Sequence, residues 1–277
     1  MNRIIQHDST FVSLYEDLYS RRIRVDDYSG NSESILQAIS SSLPTWTEKL
    51  IIKARPSDVH FFTHNGFTEE AMIGGYFSGI DMHFMTKYLV ASRGTSTQIK
   101  KEEEIIRTLL STPLAPESVQ PIAVEFATEA DAEKLAGLYS KSFKIYPTPV
   151  QDPLHIKKTM AEGTVYVITR NRDEIISAAS AEINDTYHNA ELTDCATAAG
   201  YEGQGLMRAL LSALEHHLRS RGITCLYTIA RSESFGMNKA FYLLGYTYGG
   251  RMTKNCMIYS GLEDMNVWWK KVGADPR

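Results

Sequence analysis

Two carboxylates, a glycine-bearing turn and a helix start fall within the single segment Glu191-Leu-Thr-Asp-Cys-Ala-Thr-Ala-Ala-Gly-Tyr-Glu-Gly-Gln-Gly-Leu-Met207. An alternating apolar and polar run, which can be a strand, leads into Gly203-Gln204-Gly205. A helix opens directly after it. Leu206, Met207, Leu210, Leu211, Leu214 and Leu218 recur at three- and four-residue steps, and Gly222 ends the run. First-turn N–H groups have no partner inside their helix, and glycines let an anion approach them closely. The chemistry favoured here is therefore main-chain binding of a phosphate. Glu191 and Asp194 stand upstream as groups that can take or hold a proton. Being three apart, they point to opposite faces of a regular strand, so at most one faces a ligand unless a bulge intervenes.

The elements that must position these residues alternate along the second half of the chain. Residues 122–126 read as a short strand, Thr128 to Asp131 as a capping box, and Leu135, Leu138, Tyr139 and Phe143 as one helix face. Prolines make 144–153 a loop. Residues 164–169, 175–183 and 190–196 read as strands, the last two neighbours joined through Asn184 to Asn189. After the glycine turn and its helix come a strand over 224–230, a helix over 237–244 and final strands over 247–259. Adjacent strands followed by βαβα units make an α/β mixed sheet with helices on both sides. Three prolines between Ser111 and Pro121 mark a seam, with a domain-closing helix before it at 100–110. This gives an N-terminal α/β domain over 1–115 and a second domain over 116–277.

The first half carries a weaker echo of the last. Ala54-Arg55, Phe61-Phe62 and Asn65-Gly66-Phe67 run parallel to Ala230-Arg231, Phe241-Tyr242 and Leu244-Gly245-Tyr246. Gly79 to Met82 ahead of Lys87-Tyr88 likewise echoes Gly261 to Met265 ahead of Trp268-Trp269-Lys270. The first half reads as a degenerate repeat. It lacks the glycine turn, so it is expected not to bind the cofactor.

Composition bounds the partners. The chain has 277 residues, 43% of them hydrophobic, and a formal net charge of −4. Its basic clusters, Arg21-Arg22-Ile-Arg24 and Lys100-Lys101, are short, are followed by acids and read as solvated faces. Nucleic acid is not the expected partner. Cys195, Cys225 and Cys256 lie far apart with no CxxC pair, which argues against a disulfide framework or a metal site and suits a reducing cytoplasm. No apolar run approaches the length of about 18–20 residues needed to span a bilayer. A homodimer stays open.

Residues 122–270 resemble the GNAT family, the acetyl-CoA-dependent N-acetyltransferases, in the order strand, helix, loop, hairpin, strand, glycine turn, helix, strand, helix and Gly-aromatic pair. The family's pyrophosphate loop, Arg/Gln-x-x-Gly-x-Gly/Ala, falls on Glu202-Gly-Gln-Gly205-Leu-Met207. The middle glycine matches, whereas Glu202 and Met207 depart from the pattern. A narrower likeness is to the bacterial and archaeal β-lysine N6-acetyltransferases of the family. It rests on Gly74 to Gly79, Tyr146-Pro147, Gln151-Asp152-Pro153, Asn238 to Gly245, Lys254-Asn255 and Glu263 to Lys270.

The resemblance implies a GNAT acyltransferase fold in the C-terminal half, a degenerate GNAT-like N-terminal half, and acetyl-CoA as co-substrate without a metal. It implies that Cys195, Ala196, Thr197, Gly203, Gln204, Gly205, Leu206, Met207 and Asn238 hold the cofactor. The acceptor is a small-molecule amine, and its ammonium has an ordinary pKa near 10.4. Freeing the amine at neutral pH costs about 4–5 kcal/mol, a cost that a carboxylate offsets. Glu191 or Asp194 is the expected base or ammonium anchor, with Glu182 on the neighbouring strand a third candidate. Tyr242 is the expected proton donor to the thiolate, beside the alternatives Tyr227, Tyr246 and solvent. The acceptor's polar groups are assigned to Tyr146, Asp152, Glu182, Arg231 and Asn255. The resemblance implies Nε-acetyl-β-lysine, a compatible solute, as product. The competing readings are a non-catalytic acyl-CoA sensor and a GNAT enzyme acting on another amine or on protein lysines.

Overall fold

The computed structural model describes residues 1–7, 9–113, 122–143, 145–146, 148–258 and 261–273. Most of the proline seam, and the boundary placed between 115 and 116, lie outside the described residues. The chain forms β1 (Asn2–His7), β2 (Thr10–Asp17), β3 (Arg22–Ser29), α1 (Ser32–Ser42), β4 (Lys49–Ala54), α2 (Pro56–His64), β5 (Thr68–Phe77), β6 (Ile80–Tyr88) and α3 (Ile99–Ser111). It continues through β7 (Glu125–Phe126), α4 (Ala132–Ser142), α5 (Pro153–Ala161), β8 (Val165–Asn171), β9 (Glu174–Asn184), β10 (Asn189–Thr197), α6 (Leu206–Ser220), β11 (Cys225–Arg231), α7 (Phe235–Leu243), β12 (Thr247–Ile258) and β13 (Gly261–Lys271).

The mixed α/β architecture expected from the sequence is present. Its details differ at three places. The strand expected over 122–126 is reduced to β7, whose two residues cover the edge of β8. Helix α5 follows the proline loop, over residues for which no element was expected; Pro153 stands at its first position, where a missing N–H costs nothing. The aromatic C-terminus is strand β13, inserted between β11 and β12. Its Trp268 lies fully buried in the core under α6 and α7.

Among the described residues all strands join one 13-stranded sheet in the order β1-β2-β3-β4-β6-β5-β12-β13-β11-β10-β9-β8-β7. Read from its two outer ends, this order has the same form twice. The run β1-β2-β3-β4-β6-β5 matches β8-β9-β10-β11-β13-β12. Each run holds a single parallel pair, β3 with β4 and β10 with β11, and the other pairs are antiparallel. Local geometry agrees. Phe62 packs edge-on against Phe67 at 5.5 Å, and Phe241 against Tyr246 at 5.0 Å. The glycine between each pair, Gly66 and Gly245, takes φ of 83° and 78° to end its helix. Helices α1 and α2 cover the first run through Ile35, Ile39 and Phe62, and α6 and α7 cover the second through Leu210, Leu211, Leu214, Leu218 and Phe241.

The two runs meet where β5 pairs antiparallel with β12, at Gly250 opposite Ala71. Gly250 has φ 128°, and a Cβ there would fall 2.4 Å from the Glu70 carbonyl oxygen. The seam is sealed by Ile73, Phe84, Met252 and Val267, and by the buried Lys49, whose ammonium meets Glu70 at 2.8 Å and the Thr253 carbonyl at 2.7 Å. Gly250→Ala should therefore lower the unfolding free energy by about 2–4 kcal/mol, the sum of left-handed strain and overpacking. Urea titration checks this; a loss below about 1 kcal/mol would mean that the seam tolerates separation.

Candidate active site

Strand β10 is bulged in the middle of its pairing with β9. The register runs to Thr193 opposite Ser180, then resumes at Ala196 opposite Ala178, and Asp194 takes φ 48°. The bulge answers the parity problem posed by the spacing of Glu191 and Asp194. It returns Asp194 to the side of the sheet that Glu191 occupies, where the Ser180 hydroxyl donates to its Oδ2 at 2.7 Å. Glu182, directly across from Glu191, completes a set of three carboxylates.

Two of the three acids are shifted. Asp194 is 5% exposed, and its burial pushes the carboxyl up to about 6. Hydrogen bonds from Ser180 and Tyr146 oppose that rise, and the charge of Glu191 adds to it. Glu182 is exposed toward a cavity, yet the loss of bulk water around it and the charges of Glu191 and Asp194 push it up to about 7. Arg24 and Lys53 pull it back. Tyr146 stacks on Phe143 at 4.3 Å and bonds through its hydroxyl to Thr193 and Asp194. The Tyr139 hydroxyl, fully buried and within the field of Asp194, has no hydrogen-bond partner among the described residues.

Beside the bulge the sheet opens. β10 and β11 pair only from Asn189–Cys225 to Glu191–Tyr227, and then diverge. The β11-facing main chain of β10 beyond Glu191 thus has no ladder partner on that side. Ala196 and Ala198 pack toward α4 and α5, while the Thr197 hydroxyl lies 2.9 Å from that of Ser177 on β9. The Cys195 thiol lies 3.5 Å from the Thr193 carbonyl oxygen, and burial raises its pKa, so it is no ready nucleophile.

The glycine turn then delivers α6. Gly203 and Gly205 take φ of 75° and 81°, and a Cβ added to Gly203 meets no atom within 4 Å. Gly205 is the N-cap and supplies no side chain to the first-turn donors. Leu206 anchors the turn in the core. The Glu202 carboxylate folds back to accept the Gly200 N–H at 2.7 Å, so its charge is held by its own loop. An open helix end, left-handed glycines and a splayed strand suit the pyrophosphate and pantetheine of a coenzyme A thioester.

Some expected ligands are committed elsewhere. The Asn238 amide donates to the carbonyls of Arg231 and Ser234 and accepts from Asn266 and Trp268, at 2.7 to 2.9 Å. It ties α7 to β13. Arg231 is held by Glu263 through Nη2 at 2.9 Å. Asp152 caps α5 by accepting the Leu154 N–H at 2.9 Å. Asn255 is 2% exposed, and its Oδ1 has no partner among the described residues. The Tyr242 hydroxyl donates to the Thr112 carbonyl, and its ring packs against Trp268 on the α6 and α7 side. The tyrosines that the structure does bring to the acids are Tyr139, Tyr146 and Tyr166 around Asp194, and Tyr227 beside Glu191.

A cavity of about 340 Å³ adjoins the carboxylates. One wall carries Glu182, Glu191 and Tyr227; the other carries Arg24, Lys53 and Tyr76 from the first half of the chain. Arg24 corrects the reading of its cluster as a solvated face. On β3 its neighbour Arg22 is buried against Asp17 at 3.0 Å, while Arg24 points into the cavity. The alternation Arg22-Ile-Arg24-Val-Asp26 was the available signal.

Comparison with known proteins gives the class. A model of the acetyltransferase (GNAT) family matches residues 132–246. The N-acetyltransferase YodP of Bacillus subtilis is 38% identical, over 98% of this chain and 100% of that protein. The beta-lysine N(6)-acetyltransferase of Methanococcus maripaludis is 35% identical over 80% of this chain and 82% of its own length. The enzyme of that name from Methanosarcina mazei is 33% identical over 87% and 98%. The chain belongs to the GNAT acetyltransferase family. It is an acetyl-CoA-dependent acyltransferase that moves an acetyl group to an amine. Among the described residues no helix is long and apolar enough to cross a membrane, and no group of three His, Cys, Asp or Glu side chains suits a metal ion.

The raised Asp194 carboxyl has a thermodynamic consequence. Its folded pKa of about 6 exceeds the ordinary 3.8, so between those values the folded protein holds the extra proton. Stability is then greatest below about pH 4 as far as this group is concerned, and falls as pH rises toward 6. The expected loss is on the order of 2–3 kcal/mol, at 1.36 kcal/mol per unit. Asp194→Asn should flatten that slope in urea unfolding measured from pH 4 to 7; an unchanged slope would place the proton elsewhere.

Proposed function

We propose that this enzyme acetylates the ε-amine of β-lysine, giving Nε-acetyl-β-lysine as a compatible solute, in the cytoplasm. The observation that carries the reading is the carboxylate set beside the splayed strand. The acetyl carbon, held as a thioester by coenzyme A, supplies the electrophile. Glu191, with Glu182 across from it, faces the cavity and takes the proton from the incoming ammonium. The freed nitrogen lone pair forms the C–N bond, and the C–S bond breaks with its electron pair going to sulfur. The nitrogen loses its second proton once the C–N bond has formed; of the two protons, one goes to the thiolate and the other to solvent. Main-chain donors of β10 past Glu191 are placed to steady the carbonyl oxygen as charge builds there. The low local polarity that raises Glu182 and Asp194 also favours a neutral amine.

The names of the methanogen relatives support β-lysine as acceptor, as do the motifs shared with that group. An acyl-CoA sensor would have no use for two carboxylates aimed into a cavity. A folded protein lysine would need an open groove, whereas this cavity is walled from both halves of the chain.

The first half acts, in this reading, as a degenerate GNAT repeat without a cofactor site. Helix α1 occupies the place of α6, but the Asn31 side chain accepts the N–H groups of Glu33 and Ser34. Glu33 adds a negative charge in the first turn. Both features work against a phosphate there.

An acceptor panel of β-lysine, lysine, ornithine and a polyamine, read by thiol release from acetyl-CoA, tests the assignment. β-Lysine should give the highest kcat/KM, with the acetyl group on the ε-nitrogen by fragmentation mass spectrometry; no turnover of β-lysine would remove the reading. Glu191→Gln should lower kcat by about 10²–10⁴, the usual contribution of a positioned base, with binding of coenzyme A retained. Retained kcat would assign proton removal to another group.

A further inference from the structure

Arg24 and Glu191 occupy corresponding places in the two halves of the sheet. Arg24 pairs with Ile51, three residues before Ala54 at the end of β4, and Glu191 pairs with Tyr227, three residues before Ala230 on β11. The second half therefore carries an acid where the first carries a base, and the two side chains attract one another across the cavity.

The cationic wall is built rather than incidental. Asp26 accepts Arg24 Nε at 2.6 Å and Nη2 at 3.2 Å, and it meets the Lys53 ammonium at 2.8 Å. Lys53, with an 8% exposed side chain, also donates to the Tyr76 hydroxyl at 2.9 Å. One carboxylate thus serves two cations; Asp27, which also lines the cavity, is itself paired with Arg55 at 2.9 Å, so this side keeps a surplus positive charge. No hydrogen bond to Arg24 Nη1 occurs among the described residues. Opposite stand Glu182 and Glu191. A cavity positive on one side and negative on the other complements a ligand with an anion at one end and an ammonium at the other. A guanidinium locked by Asp26 loses little side-chain freedom on meeting a carboxylate.

We propose that the first half of the chain is the acceptor-selecting half, in which Arg24, steadied by Asp26 and assisted by Lys53, binds the free carboxylate of an amino-acid acceptor while its amine meets Glu182 and Glu191. This deepens the acetyltransferase reading and rests on it. The fold then assigns thioester binding to one copy and substrate recognition to the other. A simple diamine or polyamine lacks the group that the first half holds.

The test uses the full-length enzyme and two acceptors, β-lysine and 3,6-diaminohexanamide, in which a neutral amide of similar size replaces the carboxylate. Wild-type kcat/KM should be at least 100-fold higher for β-lysine. Arg24→Gln should raise the KM for β-lysine 10- to 100-fold with kcat changed less than 3-fold, and should shrink the ratio between the acceptors to below 10. KM for acetyl-CoA, unchanged in the variant, reports correct folding. Equal use of both acceptors by the wild type overturns the proposal, and decides the matter if the variant does not fold. Equal losses on both acceptors in Arg24→Gln overturn it too, because Arg24 would then only steady Glu191. If the wild type acetylates neither compound but does acetylate another amine, the acceptor assignment itself has failed, and this inference falls with it.

Discussion

The antiparallel contact between β5 and β12 is the constraint on which the site depends. Either run of strands, alone, would leave a long unpaired edge at that position, an invitation to pair with another chain. Joining the edges removes both liabilities and fixes how the two halves sit. It is a tight join, with Gly250 lying against the Glu70 carbonyl because no side chain fits. Burying Lys49 at the same seam lowers its ammonium to about 8 through desolvation, against the pull of Glu70. A polar group so costly to bury adds little net stability, but it penalises any join that takes the Thr253 carbonyl out of its reach.

The chemistry follows from a second local irregularity. A strand of strict period two cannot present residues 191 and 194 on one face, and the bulge at Asp194 removes that limit. Three carboxylates then share a small region, and their mutual repulsion together with lost water raises two of them into the range where proton transfer near neutrality is easy. The divergence of β10 from β11 begins directly after Glu191, which itself lines the cavity.

Much of this could be read from the sequence, for identifiable reasons. The leucine spacing of α6 and the glycines before it carry strong local signals, since only glycine takes φ of 75° and 81° without strain. The paired motifs Asn65-Gly66-Phe67 and Leu244-Gly245-Tyr246 were visible because helix termination needs those residue types in that order. What escaped were features set by distant partners. Asn238 looks like a ligand until Trp268 and Asn266 claim its amide. Arg24 looks like surface until β10 and β11 arrive opposite it. Tyr146 and Glu182 were legible as candidates, but the tyrosine set around Asp194 depends on α4 and α5 folding over the bulge.

Only one of the two matched helices, α6, begins without a side-chain cap; its counterpart α1 is closed by Asn31. The two runs thus share an order of strands but differ at the one helix end that would meet a phosphate. Each polypeptide, despite carrying two scaffolds of the same pattern, should load a single equivalent of nucleotide.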